Sequence, residues 1–230
     1  MRAIYEKNIE TLSIGDSFNY SGPELHHLKN VARLKIGEEV VIINGSGLLV
    51  YCNCIEISKK NILLQVARRV TQVNKNRECI ISLIKRESLE LAIRSAVEMG
   101  VVKVHIVKSD YSQNYKLNTE RLNKIISSAM IQSNNAFLCD VEIYEDLEEV
   151  IKYFDSNILA FDNGLDHQLE GKDRSHFFET DPIVCIGPEG GFSSRERILF
   201  NNYGIKSHAF ETPILRAETA VVAALSYRYL

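Results

Sequence analysis

From Cys79 to the C-terminus, short apolar runs alternate with stretches that carry one apolar helical face, and that alternation limits the folds open to this chain. Cys79-Ile80-Ile81-Ser82-Leu83-Ile84 reads as a strand. Leu89, Ile93, Ala96 and Val97 fall on one side of a helix that closes at Gly100, and Val101 to Val107 is the next strand. Asn118 is placed to cap a helix containing Leu122, Ile125, Ile126 and Ala129; strands follow near 141–144, 157–161, 183–186 and 207–210. Strand and helix taken in turn argue for an α/β fold, a parallel sheet with helices on both faces.

The first 72 residues follow another pattern. Glu39 to Ile43, Leu48 to Cys52 and Ile62 to Val66 are short apolar strands, separated by turns at Asn44-Gly45-Ser46-Gly47 and Ser58-Lys59-Lys60-Asn61. Strands at that spacing suggest a small barrel. The polar segment Thr71 to Arg77 reads as a linker, so the expected units are 1–72 and 73–230.

Two loops near the C-terminus look like walls of a small-molecule site. The strand Ile183-Val184-Cys185-Ile186 runs into Gly187-Pro188-Glu189-Gly190-Gly191, and after one more strand a second loop ends in Leu215-Arg216-Ala217-Glu218-Thr219. The three glycines permit positive φ and remove Cβ atoms where a ligand must come close, while Pro188 stiffens the turn. Ser193-Ser194-Arg195-Glu196 fits a capping box, so a helix begins directly after the first loop and presents its N–H groups toward it. Glycine and proline punctuate ordinary turns as well. The second loop raises the case for a site, because ligands of open α/β sheets sit beyond the carboxyl ends of the strands. No Lys-Ser or Lys-Thr follows the glycines and no G-x-G-x-x-G pattern occurs, so neither a nucleoside triphosphate nor NAD is indicated.

Composition is consistent with this plan without selecting it. With 230 residues, 45% of them hydrophobic, the chain can bury a full core. The start, MRAIYEKNIE, lacks the apolar stretch of a signal peptide and no run approaches the ~20 residues that span a bilayer, so a cytoplasmic protein is expected. Cys52, Cys54, Cys79, Cys139 and Cys185 are odd in number and lie mostly in apolar runs, so neither disulfides nor a metal is expected. The net charge is −3. Residues 1–72 hold nine Lys and Arg against seven Asp and Glu, leaving 18 against 23 for the remainder.

The two loops resemble those of the RsmE family of 16S ribosomal RNA uridine N3-methyltransferases, which belongs to the SPOUT class. Gly187-Pro188-Glu189-Gly190-Gly191-Phe192-Ser193 is followed by Ile214-Leu215-Arg216 and Glu218-Thr219-Ala220 as in that family. His26-His27-Leu28, Val31 to Gly37 and Asn44 to Gly47 are similar to its N-terminal barrel, with Ala32 where Leu is usual and Asn44 where Asp is usual. Ala96 to Val101 and Gln132-Ser133 are similar to its central blocks.

The resemblance implies a PUA-like RNA-binding β-barrel, then a SPOUT α/β domain that ends in a trefoil knot. It implies S-adenosylmethionine as cofactor, held by Phe161, Asp162, Ile186, Gly187, Pro188, Gly190, Gly191, Phe210, Ile214, Leu215 and Thr219. It implies a homodimer, which the last helix favours, since Ala220-Val221-Val222-Ala223-Ala224-Leu225 is apolar nearly all round and must be covered by core or partner. The expected partner is 16S ribosomal RNA in the small ribosomal subunit, with Arg2, His27, Lys29, Arg33 and Lys35 as RNA-contacting candidates.

Removing the imide proton of uridine calls for a group that stabilises the uracil anion and one that accepts the proton. Arg216 is the first choice for the anion, its alternative role being an ion pair with Glu218 or Glu189. Glu189 or Glu218 is the acceptor, and either can instead cap a helix or hold a loop. The chain departs from the family at Asp110-Tyr111 in place of Glu-Arg, at Asn134-Asn135 in place of Gly-Arg, and at Cys139, Glu211 and Pro213. Two alternatives therefore stand beside the leading one: methylation of another RNA, and an RNA-binding protein that keeps the pocket without turnover.

Overall fold

A computed structural model describes residues 2–154, 157–162, 182–210 and 212–227. The chain forms two compact units, Met1–Lys75 with Ser127–Leu138, and Asn76–Ile126 with Cys139–Leu230.

The first unit is built on a five-stranded mixed sheet. Its strands are β1 (Ala3–Tyr5), β2 (Ser17–Tyr20), β3 (Glu39–Ile43), β4 (Leu48–Ile57) and β5 (Ile62–Thr71), ordered β1-β3-β4-β5-β2. β1 runs parallel to β3 and the other pairs are antiparallel. The long β4–β5 hairpin shifts register between Tyr51 and Cys52 and again between Cys54 and Glu56, as β-bulges do when a sheet must bend. Ile4 from β1 and Tyr20 from β2, at opposite ends of the strand order, share one buried cluster with Ile42, Val50, Cys52 and Leu64. The sheet therefore rolls around a single core in the manner expected of the small barrel. Sequence periodicity had missed β1 and β2 because each is four residues or fewer.

Asn44 explains the turn between β3 and β4. Its side-chain oxygen accepts from the N–H groups of Ser46 and Leu48, both at 2.9 Å, and its amide donates to Glu10 at 3.0 Å. Gly45 and Gly47 follow with φ of 76° and 107°, a region that residues with a Cβ avoid.

The second unit carries a six-stranded sheet of β6 (Glu78–Ser82), β7 (Lys103–Val107), β8 (Asp140–Tyr144), β9 (Ile158–Phe161), β10 (Ile183–Ile186) and β11 (Lys206–His208). The order is β11-β9-β10-β6-β7-β8, and every pairing is parallel, so all six strands end on one edge. The helices are α1 (Arg86–Glu98), α2 (Thr119–Ser133), α3 (Leu147–Tyr153), α4 (Ser194–Asn202) and α5 (Ala217–Ser226). Alternate strand residues face opposite ways. Ile80, Ile158, Ala160 and Cys185 join Leu147 and Val150 of α3 and Phe200 of α4 in one cluster. On the other face α5 packs against α1 and β10.

The expected cap at Asn118 is present, its side chain accepting from the Arg121 N–H at 3.0 Å. The seven-residue α3 was not anticipated; Asp146 caps it by accepting from the Glu148 N–H at 2.7 Å. All five cysteines are buried, and burial pushes the Cys52 thiol up to about 12.

His105 of β7 is fully buried, 2.5 Å from a Glu78 carboxylate oxygen on β6 and 3.2 Å from the Tyr144 hydroxyl on β8. Lys103 and Glu142 flank it, and burial, the largest influence, lowers its pKa below the usual 6.5 despite the pull of Glu78. The unfolded chain therefore binds the proton first, and stability falls as pH drops through 6.5 toward the lowered folded value. The unfolding midpoint of the native chain should fall between pH 7.5 and 5.5 more steeply than that of His105→Gln; equal slopes would contradict the assignment.

Candidate functional site

Because the sheet is parallel, the loops that follow β6, β7, β9, β10 and β11 emerge along one edge. The end of β9 and the stretches that follow β10 and β11 line a cleft of about 350 Å³, in the range of small-molecule sites. Phe161 and Asp162 contribute from the end of β9, Ile186 to Gly191 from β10 and its loop, and Phe210, Pro213, Ile214 and Leu215 from the stretch after β11. Ala217 and Ala220 of α5 and Arg197 of α4 complete the lining. Phe161 and Phe210 stack with ring centroids 4.7 Å apart, and Tyr227 lies beyond Phe210 at 6.1 Å. Ile214 lines the cleft and is 89% exposed.

The polar anchor of the cleft is an ion pair that sequence reading did not foresee. Arg197 donates from Nε to Asp162 Oδ2 at 2.7 Å and from Nη2 to Oδ1 at 3.1 Å, a two-point clamp on a buried carboxylate. The signal for Arg197 lay in its position one turn into a helix that begins at the glycine loop. Its partner is thirty-five residues away, beyond the reach of local pattern.

Glycine has three different reasons in the loop. Only Gly191 needs its freedom of φ, at 72°, where its N–H closes a turn on the Pro188 carbonyl at 2.9 Å. A Cβ on Gly187 would come within 3.1 Å of the Phe192 ring, and one on Gly190 within 3.3 Å of Tyr111. Of the two uses expected of these glycines, Gly191 serves the positive φ, while Gly187 and Gly190 leave out a Cβ, and what comes close to them is a neighbouring side chain.

The loop's exit is fastened by a buried carboxylate. Glu196 completes the capping box with Ser193, accepting the Ser193 N–H at 2.7 Å, and its other oxygen accepts the Asp110 N–H at 2.9 Å. Asp110 in turn accepts from the Ser193 hydroxyl at 2.5 Å and from Arg195 at 2.7 Å, and these partners hold its carboxyl below the usual carboxylate range. Glu189 adds a second tie. Its oxygens accept from the Lys85 N–H at 3.1 Å and from the Gln113 amide at 3.5 Å.

Residues 72–228 match the family model of the RNA methyltransferase domain, and residues 20–67 match that of the RNA methyltransferase PUA domain. A relative from Borreliella burgdorferi, ribosomal RNA small subunit methyltransferase E 2, is 30% identical over 213 residues, 88% of this chain and 86% of its own. This chain belongs to the ribosomal RNA small subunit methyltransferase E family. It is a methyltransferase. The Helicobacter pylori J99 member is 29% identical over 98% of each chain. The crystal structure of the Neisseria gonorrhoeae member bound to S-adenosyl methionine superposes with a TM-score of 0.79 at 21% identity, covering 98% of this chain and 95% of that one, and so shares the fold.

Of the cofactor candidates in this family member, Phe161, Asp162, Ile186, Gly187, Pro188, Gly190, Gly191, Phe210, Ile214 and Leu215 all line the cleft, as does Glu189. Thr219 does not: it lies exposed within α5. Asn163, Gly164 and Glu211 lie outside the described residues. Arg216 occupies the N-cap of α5 in extended backbone, exposed, without a side-chain cap bond. Among the described residues its guanidinium has no ion pair, so the alternative pairing with Glu189 or Glu218 is not formed. Glu218 sits half-buried in the first turn of α5.

The RNA candidates divide by what already holds them. Arg2 pairs with Glu38 at 2.9 Å, and Lys29 donates to the carbonyls of Ser58 at 2.7 Å and Lys59 at 3.1 Å. His27, Arg33 and Lys35 are exposed around the short π-helical turn His27–Val31 and the loop after it.

Removing the Glu196 carboxylate would orphan the buried Ser193 N–H and break the half-buried contact to the Asp110 N–H. Glu196→Ala should lose about 2–3 kcal/mol in urea unfolding. A loss under about 0.5 kcal/mol, the size of an ordinary surface change, would contradict this role.

Proposed function

We propose that this chain binds S-adenosylmethionine in the cleft and transfers its methyl group to N3 of a uridine in 16S ribosomal RNA of the small ribosomal subunit. The observation that carries the reading is the convergence of the end of β9 with the stretches after β10 and β11 on one cleft that pairs stacked aromatics with an ion-pair anchor. The cofactor's adenine suits the apolar side formed by Phe161, Ile186, Phe210, Ile214 and Leu215. Its charged amino-acid end suits the polar side, where Asp162, Arg197 and the backbone of Gly187 to Gly191 offer both signs.

The bound cofactor supplies an already activated methyl group, so neither a metal nor a covalent nucleophile is required. The protein has to hold the uracil in line with it and manage one proton. Loss of the N3 proton would leave negative charge spread over N3 and the uracil carbonyl oxygens, and forming the N3–CH3 bond would consume it as the S–CH3 bond of the cofactor breaks. Arg216, exposed between the lining residues Leu215 and Ala217 and without an ion pair among the described residues, is assigned to donate to those oxygens. Glu189 is committed to the Lys85 and Gln113 contacts, which makes it a loop anchor and leaves Glu218 as the carboxylate to receive the proton.

The remaining parts of the reading follow the resemblance. Residues 1–72 act as the RNA-binding unit through His27, Arg33 and Lys35, and 73–230 as the methyltransferase. The chain is threaded as a trefoil knot, as the resemblance implies. Exposed Val222 on α5 is then covered in a homodimer. The enzyme works in the cytoplasm, where small subunits are assembled; none of its described helices is long and apolar enough to cross a membrane.

Labelled S-adenosylmethionine offered with either small subunits or bulk transfer RNA should mark a uridine N3 in the small-subunit RNA. Label in transfer RNA alone, or none in either despite cofactor binding, would overturn the proposal. Arg216→Ala should lower turnover about 10²-fold, the usual cost of one charge-stabilising donor, while cofactor affinity stays within a few-fold. An unchanged rate would remove Arg216 from the mechanism.

A further inference from the structure

The uracil ring needs more than an edge contact. To present N3, a base must leave its stack, and proteins hold such bases by placing an aromatic ring against the exposed face. The geometry points to Tyr111 as that surface: we infer that its ring stacks on the target uracil beside the cofactor cleft. This rests on the function proposed above.

Tyr111 lies on the loop after β7, at the same sheet edge as the cleft, with its side chain against Gly190 of the cleft wall. Despite this position the side chain is 55% exposed.

The loop that carries it is held on both sides. A turn closes from the Ser112 N–H to the Ser109 carbonyl at 2.9 Å, and the Ser112 hydroxyl accepts the Ser109 N–H at 3.0 Å. On one side of Tyr111, Asp110 is fastened to α4; on the other, the Gln113 N–H donates to the Leu83 carbonyl at 2.8 Å. An aromatic ring offered to solvent from so constrained a turn costs little entropy to use.

Other rings near this edge are occupied. Tyr115 donates its hydroxyl to the Ile84 carbonyl at 2.8 Å and lies under the Arg86 guanidinium at 5.1 Å. Phe161 is buried against Phe210.

The test measures kcat/KM on small ribosomal subunits that lack the modification, together with S-adenosylmethionine affinity and the unfolding midpoint. Tyr111→Ala should lose about tenfold or more in kcat/KM, the scale of one base stack, with cofactor affinity and midpoint unchanged. Tyr111→Phe should retain activity. An active Tyr111→Ala, a Phe variant as impaired as Ala, or a parallel loss of cofactor affinity would each overturn the inference.

A second measurement does not depend on turnover, so it separates failure of the stacking from failure of the proposed reaction. The chain contains no tryptophan, so Tyr111→Trp is its sole indole. Its fluorescence should be quenched by a uridine hexanucleotide and not by the dihydrouridine counterpart, whose bases keep the N3 imide but lose planarity. Equal quenching by both, or by neither, would overturn the inference.

Discussion

A buried carboxylate at the start of α4 holds the carboxyl edge of the parallel sheet together. Glu196 satisfies one N–H of the glycine loop's exit and one of the β7 loop, two segments more than eighty residues apart. In water such contacts are worth little, because the solvent replaces them. Sealed from solvent, an unsatisfied N–H is costly, so the two loops stay in register. Asp110, Ser193 and Arg195 extend the same network toward the surface. The cleft wall is thus rigid on its outer side before any ligand enters.

The inner side is built differently. There the parallel sheet does most of the positioning, since strands that all end on one edge bring their loops together without further instruction. Asp162 and Arg197 then supply a fixed dipole, each neutralising the other until a charged ligand competes for it. The apolar part of the cleft is less finished, with Ile214 standing almost wholly in solvent. An exposed branched aliphatic residue at a cleft mouth gains by being covered, and a bound ligand is the natural cover.

Much of the architecture was legible in the residues. Period-two and period-3.6 patterns were enough for the α/β unit, because buried parallel strands such as Ile183 to Ile186 leave an unbroken apolar trace and Ser193 and Glu196 mark a helix start by local chemistry alone. Short strands with mixed burial, Ala3–Tyr5 and Ser17–Tyr20, left no such trace. The same applies to α3, whose seven residues span barely two turns.

For the site, the chain's own order of residues determined which loops would meet: GPEGG and LRAET sit at strand ends, and an all-parallel sheet has one carboxyl edge. Which side chains face which was a matter for tertiary structure. Glu189 reads equally as a base or a tether until Lys85 and Gln113 are seen beside it. Gly187 and Gly190 read as flexible until Phe192 and Tyr111 are found filling the space a Cβ would take. Arg197 carried only its place one turn into the helix after the glycine loop, and the fold alone sets it against Asp162. Local sequence encodes backbone preference, which is short-ranged; pairing of charges and filling of space depend on residues far apart in the chain, and only folding brings those together.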